Sequence, residues 1–223
     1  MIKSNKLAIF GNSLMAEIAY YYFKNYSDYE IICFVSEEKF INKKKLFGVE
    51  VISLKKFLKK KDQKPNIFIA IGYNKLNKIR EKFFKIFKKE YNYEVINFIH
   101  PNASCYQNDL GVNNFIMDNV SINPFTKIGN NNIFWSNCVI GHHTNIADNN
   151  FFSGNSTISG NCEIKNNCFF GVNSSIKDSI KIQSDCFIDA NQYVSKHLKK
   201  NTYFNQKINP KFLIKSKQIF NID

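Results

Sequence analysis

The sequence predicts a two-part fold, a small parallel α/β domain followed by a three-sided β-solenoid, on three observations. The first is a six-residue period, because Leu110, Ile116, Ile122, Ile128, Phe134, Ile140, Ile146, Phe152, Ile158, Ile164, Phe170, Ile176, Ile182, Ile188 and Val194 are all bulky and apolar. Fifteen successive positions keep one phase, which at 44% apolar residues arises by chance about a few times in a million, so the run is an internal repeat. The second is a companion column of small residues two positions earlier: Thr126, Cys138, Thr144, Ser156, Cys162, Cys168, Ser174 and Cys186. The third is an alternation of apolar runs and amphipathic stretches over the first hundred residues or so, the pattern of a parallel α/β domain.

A period of six fits neither the 3.6 of a helix nor the 2 of a long strand. It fits a short strand plus a corner, three times per turn, so eighteen residues form one coil and successive coils stack about 4.8 Å apart. Small residues beside large ones fill the narrow prism. Three-faced hexapeptide solenoids resemble one known class, the left-handed parallel β-helix; its hand, which departs from the usual right-handed crossover, is taken from that resemblance.

The first domain is justified element by element. Lys6 to Phe10 is a short apolar strand ending at Gly11; Asn12-Ser13 then lead into an apolar-rich helix from Leu14 to Phe23. Either Asn12 or Ser13 can cap that helix, whose free N–H groups and positive end suit a phosphate. Glu30 to Val35 is a second strand, and Ser36-Glu37-Glu38 follow it where open α/β sheets bind ligands, beyond the carboxyl end of a strand. Leu54 to Lys61 reads as a helix, Asn66 to Ile71 as a buried strand closed by Gly72, and Leu76 to Lys89 as a basic amphipathic helix with Ile79, Phe83, Ile86 and Phe87 on one face. Glu94 to Ile99 is expected as one more strand, and His100-Pro101 as the junction before the repeat.

The net charge is +13, but Arg80 is the only arginine and the lysines are spread along the chain. Abundant Asn, Ile, Phe, Tyr and Lys together indicate compositional bias, so nucleic acid is not expected as a partner. Of six cysteines, four occupy the small inward column and none forms a Cys-x-x-Cys pair, which predicts buried reduced thiols rather than disulfides or zinc ligands. No run is long and apolar enough for a signal peptide or a membrane span, and a cytoplasmic protein without stable membrane insertion is expected.

Several phrases together carry a resemblance: IFGNS, ICFVSEE, FGVEV, IFIAIGYN followed by Arg80, INFIHPNA, VIGHHTNIAD, STISGNCEI and CFFGVNSSI. With these the chain resembles the bacterial hexapeptide acyltransferases that modify nucleotide-linked sugars and sialic acid, including UDP-4-amino-sugar and GDP-perosamine N-acetyltransferases. The resemblance implies a Rossmann-like nucleotide-sugar-binding domain over residues 1–100, a left-handed β-helix acyltransferase domain over 101–198 and a tail over 199–223. It implies acetyl-CoA as acyl donor, a nucleotide-linked amino sugar as acceptor, a homotrimer and a role in bacterial surface-glycan synthesis.

The same resemblance makes His142, in Val139-Ile140-Gly141-His142, the general base, and makes Ser13, Ser36, Glu37 and Gly72 the sugar-nucleotide contacts. Two departures stand out: His143 occupies the position of the family's polarising carboxylate, and Leu14 that of a glycine after Ser13. The usual closing phrase of Gly, Pro and Ala is also replaced, by Phe204-Asn205-Gln206-Lys207.

The chemistry requires little, because acetyl-CoA is already an activated thioester. A base must take a proton from the attacking amine or hydroxyl, and a donor must meet the oxygen that becomes negative. Histidine suits the first task, since its ordinary pKa of about 6.5 leaves it neutral near pH 7. The period places Gly160 one coil, about 4.8 Å, above His142, where its N–H is a reachable oxyanion donor. Corner positions fall in columns eighteen apart, and Gly154, Val172 and Ala190 form a small-residue column suited to the pantetheine arm, with Lys196, Lys199 and Lys200 near its phosphates. Cofactor contacts are therefore expected from Gly160, Val172 and Ala190. Zinc enzymes of the γ-carbonic anhydrase kind also use this helix but need three converging histidines, and four in the chain with two adjacent argue against a metal. Two alternatives remain, a sugar O-acetyltransferase using the same base, and a non-catalytic β-helix that binds sugar nucleotide or scaffolds an assembly.

Overall fold

The computed structural model describes residues 5–59, 64–106 and 109–206. Its first part is a five-stranded sheet built from β1 (Lys6–Phe10), β2 (Glu30–Ser36), β3 (Lys45–Leu46), β4 (Val49–Ser53) and β5 (Asn66–Ile69), in the order β3-β4-β2-β1-β5. All pairs are parallel except β3 with β4, an antiparallel hairpin at the sheet edge. Helices α1 (Leu14–Tyr26), α2 (Leu54–Lys59) and α3 (Lys78–Lys85) connect or flank the strands, and α3 ends in a single π-helical turn, Ile86–Glu90. The expected end of the second helix at Lys60-Lys61 lies outside the described residues.

Gly11 is required where it stands. Its φ is +134°, and a Cβ there would lie 2.6 Å from the Ala70 carbonyl oxygen, so only glycine lets the chain turn out of β1 against the end of β5.

From Phe98 onward the chain winds into two-residue strands in three parallel sheets of four, seven and six strands. Partners are eighteen residues apart in unbroken register, as in Val139 with Thr157, Ile140 with Ile158, and Phe151 with Phe169. One prism core runs the whole length, holding the six-period apolar column together with Cys138, Cys162, Cys168 and Cys186. The rings of Phe134, Phe152 and Phe170 stack coil on coil at 4.8 and 4.6 Å, almost coplanar at 3° and 8°. Each large side chain so buried contributes about 1.5–3 kcal/mol.

Corners have their own rule. Every sixth residue from Asn113 to Asn191 has positive φ, and asparagine occupies ten of these fourteen positions. Asparagine tolerates the left-handed region because its short amide bonds locally, and these amides also ladder between coils, as from Asn113 to Asn131 at 2.6 Å and Asn131 to Asn149 at 2.7 Å. Four positions differ, namely Phe125, His143, Ser179 and Asp185.

Two expectations need correction. Glu94 to Ile99 is not a further full strand of the first sheet: Val95 makes a single bridge to Ile67, and Phe98–Ile99 pairs instead with Phe115–Ile116 of the solenoid. The reason is packing, since Phe98 lies among Phe23, Phe68 and Phe115 in a cluster shared by both parts. At the other end Tyr203–Phe204 pairs with Phe187–Ile188, so the sheet continues into the stretch expected as a tail; residues 207–223 lie outside the described ones.

The two parts are fastened by buried polar bonds as well as by that cluster. Arg80 is fully buried; Nε donates to the Asn131 carbonyl at 3.1 Å, Nη2 to Asn150 at 3.0 Å, and Nη1 to Gly72 at 2.9 Å and Ile71 at 3.3 Å. Burial pulls its pKa down to about 9, which still leaves the guanidinium charged at neutral pH, surrounded by carbonyl dipoles. Tyr22 donates to Asp118 at 2.5 Å and Asn77 to the Cys168 carbonyl at 3.1 Å, so helices α1 and α3 are both pinned to the solenoid.

Candidate active site

His142 and His143 form one exposed corner of the coil that begins with Val139–Ile140. His143 has φ +57°, a conformation histidine enters more readily than most residues, and its ring stands edge to face with that of His142, the centroids 5.2 Å apart. The two Nδ1 atoms are 3.0 Å apart. Only one can carry the shared proton. When it sits on His142, the Nε2 of that ring keeps its lone pair and His143 Nδ1 is the acceptor.

Gly160 lies on the next coil in register, with Asn161 N–H bonding to the His142 carbonyl at 2.8 Å. A Cβ at position 160 would stand 2.7 Å from Cε1 and 2.9 Å from Nε2 of His142, and 3.1 Å from a carboxylate oxygen of Asp178. The missing side chain therefore makes the slot into which the imidazole edge fits. Among the described residues, no backbone acceptor takes the Gly160 N–H. Asp178, one coil further on, faces the same slot through Oδ1, while its Oδ2 accepts from the Ser179 hydroxyl at 2.7 Å. Position 178 is 160 plus one coil, so the period that places Gly160 also places this carboxylate.

Gly154, Val172 and Ala190 occupy a second corner, stacked by bonds from Asn173 N–H to the Gly154 carbonyl and from Asn191 N–H to that of Val172. They line a groove of about 580 Å³ whose other wall is aromatic: Tyr73, Trp135, Phe151, Phe169 and Phe187. The last three rings stack at 5.4 and 4.6 Å on the outward face of their sheet, and Tyr73 leans on Phe151 and Phe169 at 5.0 and 4.8 Å. Of the three expected cofactor contacts, Val172 and Ala190 share this groove, whereas Gly160 lies on the His142 corner. The aromatic wall is legible only in outline from the sequence, because the outward position just before each inward apolar residue carries Phe at three consecutive coils.

In the first domain Ser13, Ser36 and Glu37 come together around a cavity of about 420 Å³ beyond the carboxyl ends of β1 and β2, with Asn12, Phe40 and Asn42. Ser13 is the N-cap of α1, yet its hydroxyl makes no capping bond and is free for a ligand. Asn12 braces the rim, donating to the Phe40 carbonyl at 2.7 Å and accepting from Ser36 at 3.1 Å. Gly72 stands beside the cavity, next to the lining residue Ile71, and commits its carbonyl to Arg80. Leu14, where the resemblance expects a glycine, is exposed and borders an adjoining hollow with Ser13 and Lys43. No cluster of three or more metal-ligating side chains occurs among the described residues.

Comparison with known proteins agrees with this architecture. Residues 6–87 match the PglD N-terminal domain, and residues 110–142 match the bacterial transferase hexapeptide (six repeats). No curated protein matches the sequence. Among solved structures, a variant of perosamine N-acetyltransferase from Caulobacter crescentus, in complex with CoA and GDP-perosamine, superposes with a TM-score of 0.78 at 20% identity, covering 90% of this chain and 92% of the other. The acetyltransferase domain of PglB from Neisseria gonorrhoeae gives 0.76 at 16% identity over 89% of this chain and 95% of its own. WeeI from Acinetobacter baumannii gives 0.73 at 17% over 86% and 92%. The chain thus combines a part that matches the PglD N-terminal domain with a part that matches the hexapeptide repeat, and it shares with these structures the fold of a Rossmann-like domain followed by a left-handed parallel β-helix.

Proposed function

We propose that this protein is an N-acetyltransferase that moves acetyl from acetyl-CoA to the amino group of a nucleotide-activated amino sugar. The observation that carries the reading is the paired histidine corner, with the Nδ1 atoms of His142 and His143 3.0 Å apart and His142 Nε2 held against the slot at Gly160. In the reaction the amine nitrogen forms a bond to the thioester carbonyl carbon, the C–S bond breaks, and the coenzyme A thiol leaves. His142 Nε2 takes the proton lost by the nitrogen and returns it to the departing sulfur. The Gly160 N–H meets the carbonyl oxygen as it becomes negative. His143 accepts from His142 Nδ1 and so stabilises the imidazolium formed in between.

Asp178 favours an amine over a hydroxyl acceptor. An amino sugar arrives in water largely as an ammonium, which gives one proton to solvent before its lone pair can attack, and a carboxylate facing the slot attracts that charge but offers nothing comparable to a neutral hydroxyl. Ser13, Ser36 and Glu37 hold the nucleotide part: the free hydroxyl and N–H groups at the start of α1 suit a phosphate, and Glu37 suits ribose hydroxyls. The groove along Val172 and Ala190 holds the pantetheine arm, with Lys196, Lys199 and Lys200 near its phosphates. Relatives of the same fold are described with CoA and GDP-perosamine, and with acetyl coenzyme A. The setting we assign is cytoplasmic synthesis of bacterial surface glycan.

Thiol release from acetyl-CoA, measured with UDP-, GDP- and dTDP-linked amino sugars and their hydroxyl counterparts, tests this. At least one amine should support turnover while its hydroxyl counterpart does not. Turnover with the hydroxyl sugars alone would make the enzyme an O-acetyltransferase, and none with either would leave a binding scaffold.

The histidine corner and the small-residue groove lie in different columns of one rigid prism, so both serve one thioester only if they meet between subunits of a homotrimer. Mixing an inactive His142→Ala chain with an inactive Val172→Trp chain should regain partial activity, since some interfaces then carry neither defect. Confirmed hetero-trimers that stay inactive, with each parent assembly intact, would exclude the shared site.

A further inference from the structure

We propose that Phe125 is the positioning residue of the histidine pair, its ring fixing His143 so that His143 in turn fixes the proton of His142; the inference rests on the base role assigned to His142. Phe125 is anomalous on two counts. It has φ +63° at a corner where small polar residues are the rule, although a bulky side chain in the left-handed region is disfavoured. It is also 72% exposed in the single chain, so burial in its own prism gains it little. Neither the backbone nor the core explains a phenylalanine there.

What it does contact is informative. Position 125 is one coil before 143, and the Phe125 and His143 ring centroids are 4.7 Å apart at 37°. Of fourteen corner positions with positive φ, twelve carry Asn, Ser or Asp, and the two that carry rings are these consecutive members of one column. The chain of contacts then runs from Phe125 to His143 to His142 Nδ1, at 3.0 Å, and ends at the nitrogen facing Gly160. A solvent-exposed imidazole otherwise changes rotamer on the picosecond to nanosecond scale, and a wandering acceptor does not specify a tautomer. A ring laid against His143 removes that freedom. With His143 held in this rotamer, the 3.0 Å contact admits the pair in which His143 is protonated on Nε2 and accepts from His142 Nδ1–H, and we assign that pair, which leaves the His142 Nε2 lone pair in the slot.

The test is nitrogen-resolved NMR of the imidazoles in the ligand-free full chain at a pH where both rings are neutral, with turnover measured alongside. In the wild type, His142 should show the Nδ1–H tautomer. Phe125→Asn, which installs the residue the corner prefers, should raise or preserve the Tm, turn His142 into a tautomer mixture, and cut turnover about ten- to a hundredfold with unchanged KM for acetyl-CoA. Phe125→Tyr, which keeps the ring, should retain both the tautomer and the rate. An unchanged His142 tautomer in Phe125→Asn overturns the proposal, whether or not turnover falls. A shifted tautomer with undiminished turnover supports the positioning by Phe125 and instead removes His142 from the role of base.

Discussion

Replacing His142 by alanine should lower kcat by about two to four powers of ten, a barrier increase of about 3–5 kcal/mol, while acetyl-CoA affinity and thermal stability stay close to those of the parent. The magnitude is that of a positioned general base. The preserved stability follows from the site itself: His142 is exposed and its side chain bonds only to that of His143 among the described residues, so its removal opens no cavity in the prism. Steady-state kinetics with calorimetric binding of acetyl-CoA separates the two quantities. Near-parental turnover would remove the base role, and loss of binding together with rate would make the corner part of the donor pocket.

Gly160→Ala should be almost as damaging, for a different reason. Its Cβ would lie 2.7 and 2.9 Å from Cε1 and Nε2 of His142, distances that no methyl group tolerates. The exposed imidazole can swing away cheaply, so stability should change by less than about 0.5 kcal/mol. The displaced base, however, should cost about a hundredfold in kcat, the usual price of misplacing a catalytic group by about 1 Å. Gly141→Ala gives the contrast, because a Cβ there would meet the backbone of Ser159 and Gly160 at 2.5 Å, with no side chain to move, and the expected loss is in Tm. Thermal melts and kcat measured on both variants decide the matter; equal loss of stability in the two would show that the slot at Gly160 serves packing rather than the histidine.

The six-residue period by itself determined the prism, the inward column and the eighteen-residue register, because a solenoid turns a periodic sequence directly into a lattice: whatever recurs every eighteenth residue must stack. For the same reason Gly160 could be set against His142, and Val172 below Ala190, before any coordinates. In the first domain the apolar runs and the Gly11 turn made β1, α1, β2 and β5 legible, and with them the helix start at Ser13 and the strand end at Ser36 and Glu37; that these line one cavity is seen in the structure.

Tertiary structure alone decided what depends on contacts between the two parts or on side-chain direction. Glu94 to Ile99 has a strand's composition, but its fate was fixed by which sheet it could reach, and Phe98–Ile99 reached the solenoid. Arg80 reads as one cation among many lysines until carbonyls from both domains converge on it. His143 stands in sequence where the resemblance expects a carboxylate; only the side-chain rotamers at the corner show that its Nδ1 lies 3.0 Å from that of His142. The period fixes which residues share a column, whereas φ and the rotamers fix which atoms face each other, and proton transfer is decided by the atoms.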